Sequence, residues 1–251
     1  MELFGPAYER RIVLFTDSNN FYQLKNDDKG RELLINSQVK VLDINKSDDF
    51  KNSFKILGGI APTSEMMLVI SPFDDLVYME ISEAKNLVAL EKLGCTIQLS
   101  QYLGAKYIKI LSGKIHDKET NQSIHFDGTY KGVKGDLDIS KRELLNFKDK
   151  ISLETTFNGG EPEYEIAKAF LIDKRIIGDV FLSKLLEMRN PVKTKSNPIK
   201  NFTQEICLTE NLQNTLDIVA KLSIPLGFFS ANYKTFVKEK TEISLTIQID
   251  F

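Results

Sequence analysis

Glu242-Ile243-Ser244-Leu245-Thr246-Ile247-Gln248-Ile249-Asp250-Phe251 closes the chain with a strict alternation of apolar and polar side chains. Successive side chains of a β-strand point to opposite faces, so this period of two puts Ile243, Leu245, Ile247, Ile249 and Phe251 on one buried face and the polar residues on a wet one. A strand buried on both faces reads instead as a continuous apolar run. Residues 106–111 and 151–157 share the alternating pattern. Together they predict an α+β fold: a mainly antiparallel or mixed sheet with helices packed on one face.

Working outward from that strand, one device occurs three times: a strand, a Ser or Thr placed to cap a helix, the helix, and a returning strand. Residues 77–81 lead through Ser82-Glu83 into a helix that reaches Leu103 and stops at Gly104, with 106–111 returning. Residues 136–139 run into Ser140-Lys141-Arg142-Glu143, a capping box whose hydroxyl and carboxylate each satisfy an orphan backbone donor, and 151–157 return. Residues 202–208 end at Thr209, a helix runs from Glu210 to Leu222, and 242–251 return. The spacing is irregular, so this is no solenoid, and Ser and Thr are the ordinary residues for opening a helix.

Upstream, apolar runs at 10–15, 39–44 and 66–70 predict buried strands, the first closed by a turn-forming Asp17-Ser18-Asn19-Asn20 loop. Residues 50–57 read equally as a helical turn or an edge strand. Dense turn residues between Gly113 and Gly135 predict hairpins. Gly159-Gly160-Glu161-Pro162 opens a helix, and Asp179 caps another that carries Val180, Phe181, Leu185, Leu186 and Met188. Residues 189–201 hold two Pro and no acid, the best linker candidate. The whole reads as a single globular domain over 1–251, with a subdivision near residue 72 as the alternative.

Hydrophobic residues at 42% and charged residues at 27% are ordinary for a folded chain, so order is expected nearly throughout. The 33 Lys and Arg against 35 Asp and Glu leave a formal charge of -2, which supplies no global field toward nucleic acid or an anionic membrane. The N-terminal residues lack a basic and apolar leader pattern, and no run approaches the ~18 apolar residues of a membrane helix. Cys95 and Cys207 read as buried thiols of a reducing compartment. These features predict a soluble cytoplasmic protein, and a Lys-, Asn- and Ile-rich composition without Trp points to an AT-rich bacterial genome.

Candidate chemistry is sparse. Val13-Leu14-Phe15-Thr16-Asp17-Ser18-Asn19-Asn20 resembles the opening of metal-dependent nucleases of the NYN or PIN type, a resemblance that covers these eight residues and would make Asp17 a magnesium ligand. The plainer account is an Asx turn, because a hard cation needs several converging oxygens and Asp43, Asp74 and Asp75 form no matching series. Asp74-Asp75 with Glu83-Ala84-Lys85 has the composition of a restriction-type nuclease site, but the triplet falls at a helix start, where Glu simply complements the dipole. His116 and His125 make a pair where zinc wants three or four ligands. Cys95, with Leu93 and Ile97 nearby, reads as a core thiol. Gly58-Gly59, Gly104 and Gly159-Gly160 lack the spacing of a phosphate loop. Arg189, Lys193, Lys195 and Lys200 form the most suggestive patch, suited to an anion or an acidic partner, although charge runs are usually just solvated. Ile224-Pro225-Leu226-Gly227-Phe228-Phe229 is an interaction surface if exposed and core if buried.

No catalytic residue, metal ligand or cofactor site is therefore assigned. The expected function is a non-catalytic binding or assembly protein, a regulatory or scaffold subunit of a cytoplasmic complex, with a protein partner or a second copy of itself and with nucleic acid or an anionic ligand reachable through the 189–200 loop. Two alternatives stand beside it: a magnesium-dependent nuclease or phosphohydrolase using Asp17, and a membrane-active or pore-forming protein whose alternating strands rearrange into a barrel.

Overall fold

The apolar run after Arg11 becomes strand β1 (Ile12–Thr16), buried at every position, in a computed structural model that describes residues 4–117, 122–127, 147, 154–194, 199–222 and 241–251. The architecture is α+β with two sheets, one mixed and one antiparallel. The chain divides into two compact units, Met1–Val88 with Asn211–Glu239 and Ala89–Glu210 with Lys240–Phe251.

In the first unit β1 pairs in parallel with β2 (Val39–Asp43) after a crossover through α1 (Ser18–Asn26) and α2 (Asp28–Ile35). On its other side it meets β4 (Met67–Ile70) antiparallel, followed by β5 (Val77–Glu80) and the short β3 (Lys55–Ile56), which runs parallel to β5. The order is β2-β1-β4-β5-β3. A strand covered on both faces needs no polar alternation, which is why β1 is apolar nearly throughout. The ambiguous 50–57 stretch holds both elements, the end of α3 (Ser47–Ser53) and then β3. The loop expected at Asp17–Asn20 is instead a helix start: Asp17 is extended and its side chain accepts from the Asn20 N–H, so the same turn chemistry caps α1.

Phe4, Phe15, Phe50, Phe54 and Tyr78 fill the core of this unit. Phe50 meets Phe15 edge-on at 5.4 Å and Tyr78 at 5.0 Å between ring centroids, the geometry the ring quadrupole favours. Arg10 is buried among them at 1% exposure. Its guanidinium lies 4.4 Å from the centre of the Phe54 ring and donates to the Asp75 carbonyl at 2.8 Å and the Tyr78 hydroxyl at 2.5 Å. Burial pushes the Tyr78 phenol up to about 12.

In the second unit the C-terminal alternation becomes β10 (Thr241–Asp250), with Ile243, Leu245, Ile247 and Ile249 buried. It lies between β6 (Tyr107–Asp117) and β9 (Asn201–Cys207), antiparallel to both. β7 (Gln122–Asp127) and β8 (Glu154–Thr156) pair with different stretches of β6. Between Thr246 and Ile247 the partner on β6 jumps from Ser112 to Ile110, a bulge. Helix α4 (Ala84–Tyr102), within which the boundary between the units falls, buries Lys85, Lys92, Thr96 and Ser100 as well as Ala84, Val88, Ala89, Leu93, Cys95 and Leu99. It stops where expected: Gly104 has φ +81, and a Cβ there would sit 2.2 Å from the Gly160 carbonyl oxygen. Between β8 and β9 the chain forms α5 (Tyr164–Asp173), α6 (Val180–Met188) and the single turn α7 (Pro191–Thr194); after β9 it enters α8 (Gln213–Lys221) of the first unit.

Two of the three expected hydroxyl caps do not stand at the N-cap of the α-helix that follows them. The Leu87 N–H bonds to the Glu83 carbonyl, so α4 opens one residue beyond Ser82. Thr209 accepts from the Ile243 N–H at 3.2 Å, lengthening the β9–β10 ladder, and α8 opens without a side-chain cap. The third cap, Ser140, lies outside the described residues, as do 136–139, 151–153, the hairpin residues 128–135 and the apolar stretch 224–229. Among the described residues no helix is long and apolar enough to cross a membrane.

Candidate functional site

Asp17 and Asp43 end adjacent parallel strands, because Thr16 of β1 pairs with Asp43 of β2. Ser18 donates to Asp43 Oδ2 at 2.9 Å, and Asp43 Oδ1 accepts from the Asn45 N–H at 2.9 Å. Those two bonds, the backbone one foremost, hold the Asp43 carboxyl below its ordinary range. Asp17 Oδ1 takes the Asn20 N–H at 2.8 Å, while its Oδ2 faces the Asn20 amide at 3.2 Å and the Ser64 hydroxyl at 3.4 Å. The adjacency of Asp43 is invisible in the sequence because it follows from strand pairing. Both carboxylates are used to fasten local backbone, and among the described residues no three of His, Cys, Asp and Glu gather where one metal ion could bind.

The other sequence candidates are dispersed. Asp74 closes a turn on the Leu76 N–H, Asp75 gives its carbonyl to Arg10, and Lys85 is buried in the first turn of α4. In the β6–β7 ladder His116 pairs with Ser123 and His125 with Lys114. Cys95 is buried, and desolvation pushes its thiol up to about 11, the opposite of what a nucleophile requires. Of the basic patch, Arg189 is 6% exposed, donates to the carbonyls of Leu103 and Ile199, and stacks 4.4 Å from the centre of the Phe251 ring. Lys193 pairs with Glu187, Lys200 is exposed, and Lys195 lies outside the described residues.

A feature with little local signal in the sequence is built by α5, α6 and α7. Asp179 caps α6 through the Leu182 N–H at 3.0 Å, as expected, and its second oxygen holds Lys92 Nζ at 2.5 Å with both side chains almost fully buried. Asn190 caps α7 through the N–H groups of Val192 and Lys193. The approach to α5 turns on Gly159, whose φ is +71 and where a Cβ would meet Lys106 Cγ at 2.6 Å. The Glu163 N–H then bonds to the Tyr102 carbonyl at 2.8 Å, fixing the helix start.

Two clefts result, with Pro162 and Glu163 as a common wall. One, of about 670 Å³, lies between α5 and α7 and is lined by Tyr164, Ile166, Asn190, Pro191 and Val192 among others. The other, of about 740 Å³, is lined by Gln101, Gly104, Asn158, Gly159 and Gly160 among others. In the α5/α7 cleft the Tyr164 hydroxyl donates to Glu187 at 2.9 Å, and Lys193 pairs with the same carboxylate. Lys193 first, and then Tyr164, hold Glu187 below its usual range. Ile166 and Val192, by contrast, are 51% and 78% exposed. One signal pointed to Ile166: the buried stripe of α5 runs through Ala167 and Leu171, and Ile166 is an apolar residue off that stripe.

No family model, curated protein or solved structure matches the chain.

Proposed function

We propose that the chain is a non-catalytic binding or assembly protein, a regulatory or scaffold subunit that holds a protein partner in the cleft between α5 and α7. The observation that carries this reading is the pair Ile166 and Val192, left half or more exposed on a cleft whose Tyr164, Lys193 and Glu187 already bond to one another. Apolar side chains cost free energy in water, and covering one fully returns about 1.5–3 kcal/mol. A cleft of this size, with Ile166, Pro191 and Val192 on its lining, suits a short anchor from a partner. A protein partner is favoured over a polyanion because Arg189 is buried and Lys193 is paired with an acid. The compartment proposed with it is the reducing cytoplasm, supported by Cys95 and Cys207 both being free thiols.

The test is the native mass of the protein taken from its own cells, with Ile166→Ser and Val192→Ser introduced separately. A partner chain or second copy that is lost from both variants supports the reading; a lone chain at native mass overturns it.

A magnesium-dependent nuclease or phosphohydrolase acting through Asp17 is the alternative reading, favoured by the placement of Asp17 and Asp43 at neighbouring strand ends. Full activity of Asp17→Asn in a metal-dependent hydrolysis screen rejects it.

A further inference from the structure

We infer that the second cleft, at the end of α4 beside the connection from β8 to α5, is a binding site for a neutral saccharide. This goes beyond the partner reading and does not depend on it.

The walls of the cleft are fixed before any ligand arrives. The Phe157 N–H bonds to the Lys106 carbonyl and the Glu163 N–H to the Tyr102 carbonyl, each at 2.8 Å, so the connection is tied down at both ends. Between those ties Gly104 packs against Gly160, and Gly159 against the Lys106 side chain, both glycines at positive φ. A site held in this way orders little when it is filled.

The polar side chains on those walls are unspent. Gln101, Thr156, Asn158, Glu161 and Glu163 line the cleft and are exposed. Among the described residues none of these side chains makes a hydrogen bond, whereas Tyr164, Glu187 and Lys193 of the α5/α7 cleft bond to one another. Two carboxamides, a hydroxyl and two carboxylates hold more acceptors than donors, so they call for a ligand rich in donors. Sugar hydroxyls answer that need, because each donates one hydrogen and turns to suit its acceptor. A peptide main chain does not, since every N–H brings a carbonyl oxygen toward the carboxylates.

Charge sets aside amines, the other donor-rich class. Glu161 and Glu163 stand against two cations: the Lys106 side chain lies along Gly159, with its Nζ 3.1 Å from the Phe251 carbonyl, and the Glu161 charge acts on the buried Arg189 guanidinium, opposing the lowering that burial imposes. The four charges cancel, so neither an ammonium nor a phosphate gains from the field. Tyr102 and Phe157, half-buried on the lining, supply ring surface for the apolar C–H face of a pyranose. The volume of about 740 Å³ lies within the range of small-molecule sites, about 300–1,000 Å³.

The probes are maltose, cellobiose, lactose and mannobiose, each titrated into the isotope-labelled full chain while the backbone amide resonances are followed, beside a cationic glucosamine disaccharide and an anionic galacturonate disaccharide. At least one neutral sugar shifts the amides of Asn158, Gly159 and Gly160 in a saturable manner, and both charged sugars bind about tenfold more weakly or worse. Gln101→Ala with Asn158→Ala and, separately, Glu161→Gln each weaken the binding about tenfold. Val192→Ser, in the other cleft, leaves it unchanged. All the substituted residues are exposed, so melting temperatures stay near wild type and a folding defect is excluded directly. The inference is overturned if no neutral sugar shifts these amides up to about 10 mM, where a dissociation constant of about 1 mM would be close to saturation. Charged sugars that bind as well as the neutral ones, or cleft variants that bind like wild type, overturn it equally.

Discussion

The strand ends of the first unit and the α5/α7 cleft resemble each other in one respect, since each gathers polar side chains that bond to one another near the surface. They differ in what is left over. At the strand ends Asp17 and Asp43 have their oxygens taken up by Asn20, Ser64, Ser18 and Asn45, so the carboxylates serve the turns that position them. In the cleft Glu187 is likewise satisfied by Tyr164 and Lys193, yet Ile166 and Val192 remain outside the core. Groups whose bonding is completed internally stabilise a fold; those left uncompensated in water are what a partner can use.

That contrast predicts effects of very different size. The largest falls on the support of the cleft. Lys92→Met strands the Asp179 carboxylate in the interior, so chemical denaturation should show a loss of about 3–5 kcal/mol, with most of it restored in the double variant Lys92→Met, Asp179→Asn. A loss under about 1 kcal/mol for the single variant would show that water reaches the pair and that its role as a pin is mistaken.

Next comes the strand-end cluster, where Asp17→Ala removes a helix cap and should lower stability by about 1 kcal/mol. The melting temperature of the wild-type chain should not respond to magnesium. A magnesium-dependent rise that Asp17→Asn abolishes would turn the cluster into a metal site and reverse the comparison.

Smaller still is the expected stability change for Ile166→Ser or Val192→Ser, within about 0.5 kcal/mol, although under the proposed function each should weaken partner binding. A larger drop would mean that these side chains belong to the core.

The smallest effect is the pH dependence at Asp43. Its folded carboxyl lies below the ordinary value, so the stabilisation is complete above the unfolded pKa of about 3.9 and is lost as pH falls through the lowered folded value. Asp43→Asn should therefore make the acid limb of the stability curve shallower. An identical acid limb in the variant would assign the bonds at Ser18 and Asn45 no weight.

Several of these groups are legible in the sequence alone. The alternation of Ile243 to Ile249 announces a half-buried strand, Gly104 a helix stop that requires positive φ, and Asp179 a cap, because each depends on residues a few positions away. Thr209 fails as a cap for the opposite reason: its bond goes to the Ile243 N–H, 34 residues on. Arg189 reads as one of four loop cations, and nothing local shows that Leu103, Ile199 and Phe251 close over it. The same holds for Lys92, an ordinary helix lysine until Asp179 arrives from another element.

Local patterning in the chain thus decides where strands, stops and caps fall, since period, backbone φ and N-cap bonding act over one or two turns. Which side chains become a site was decided by tertiary structure alone. Strand pairing set Asp43 beside Asp17, and the packing of α5 and α7 made the cleft that exposes Ile166 and Val192. Such juxtapositions depend on how distant elements pair and pack, a property no short window of sequence contains.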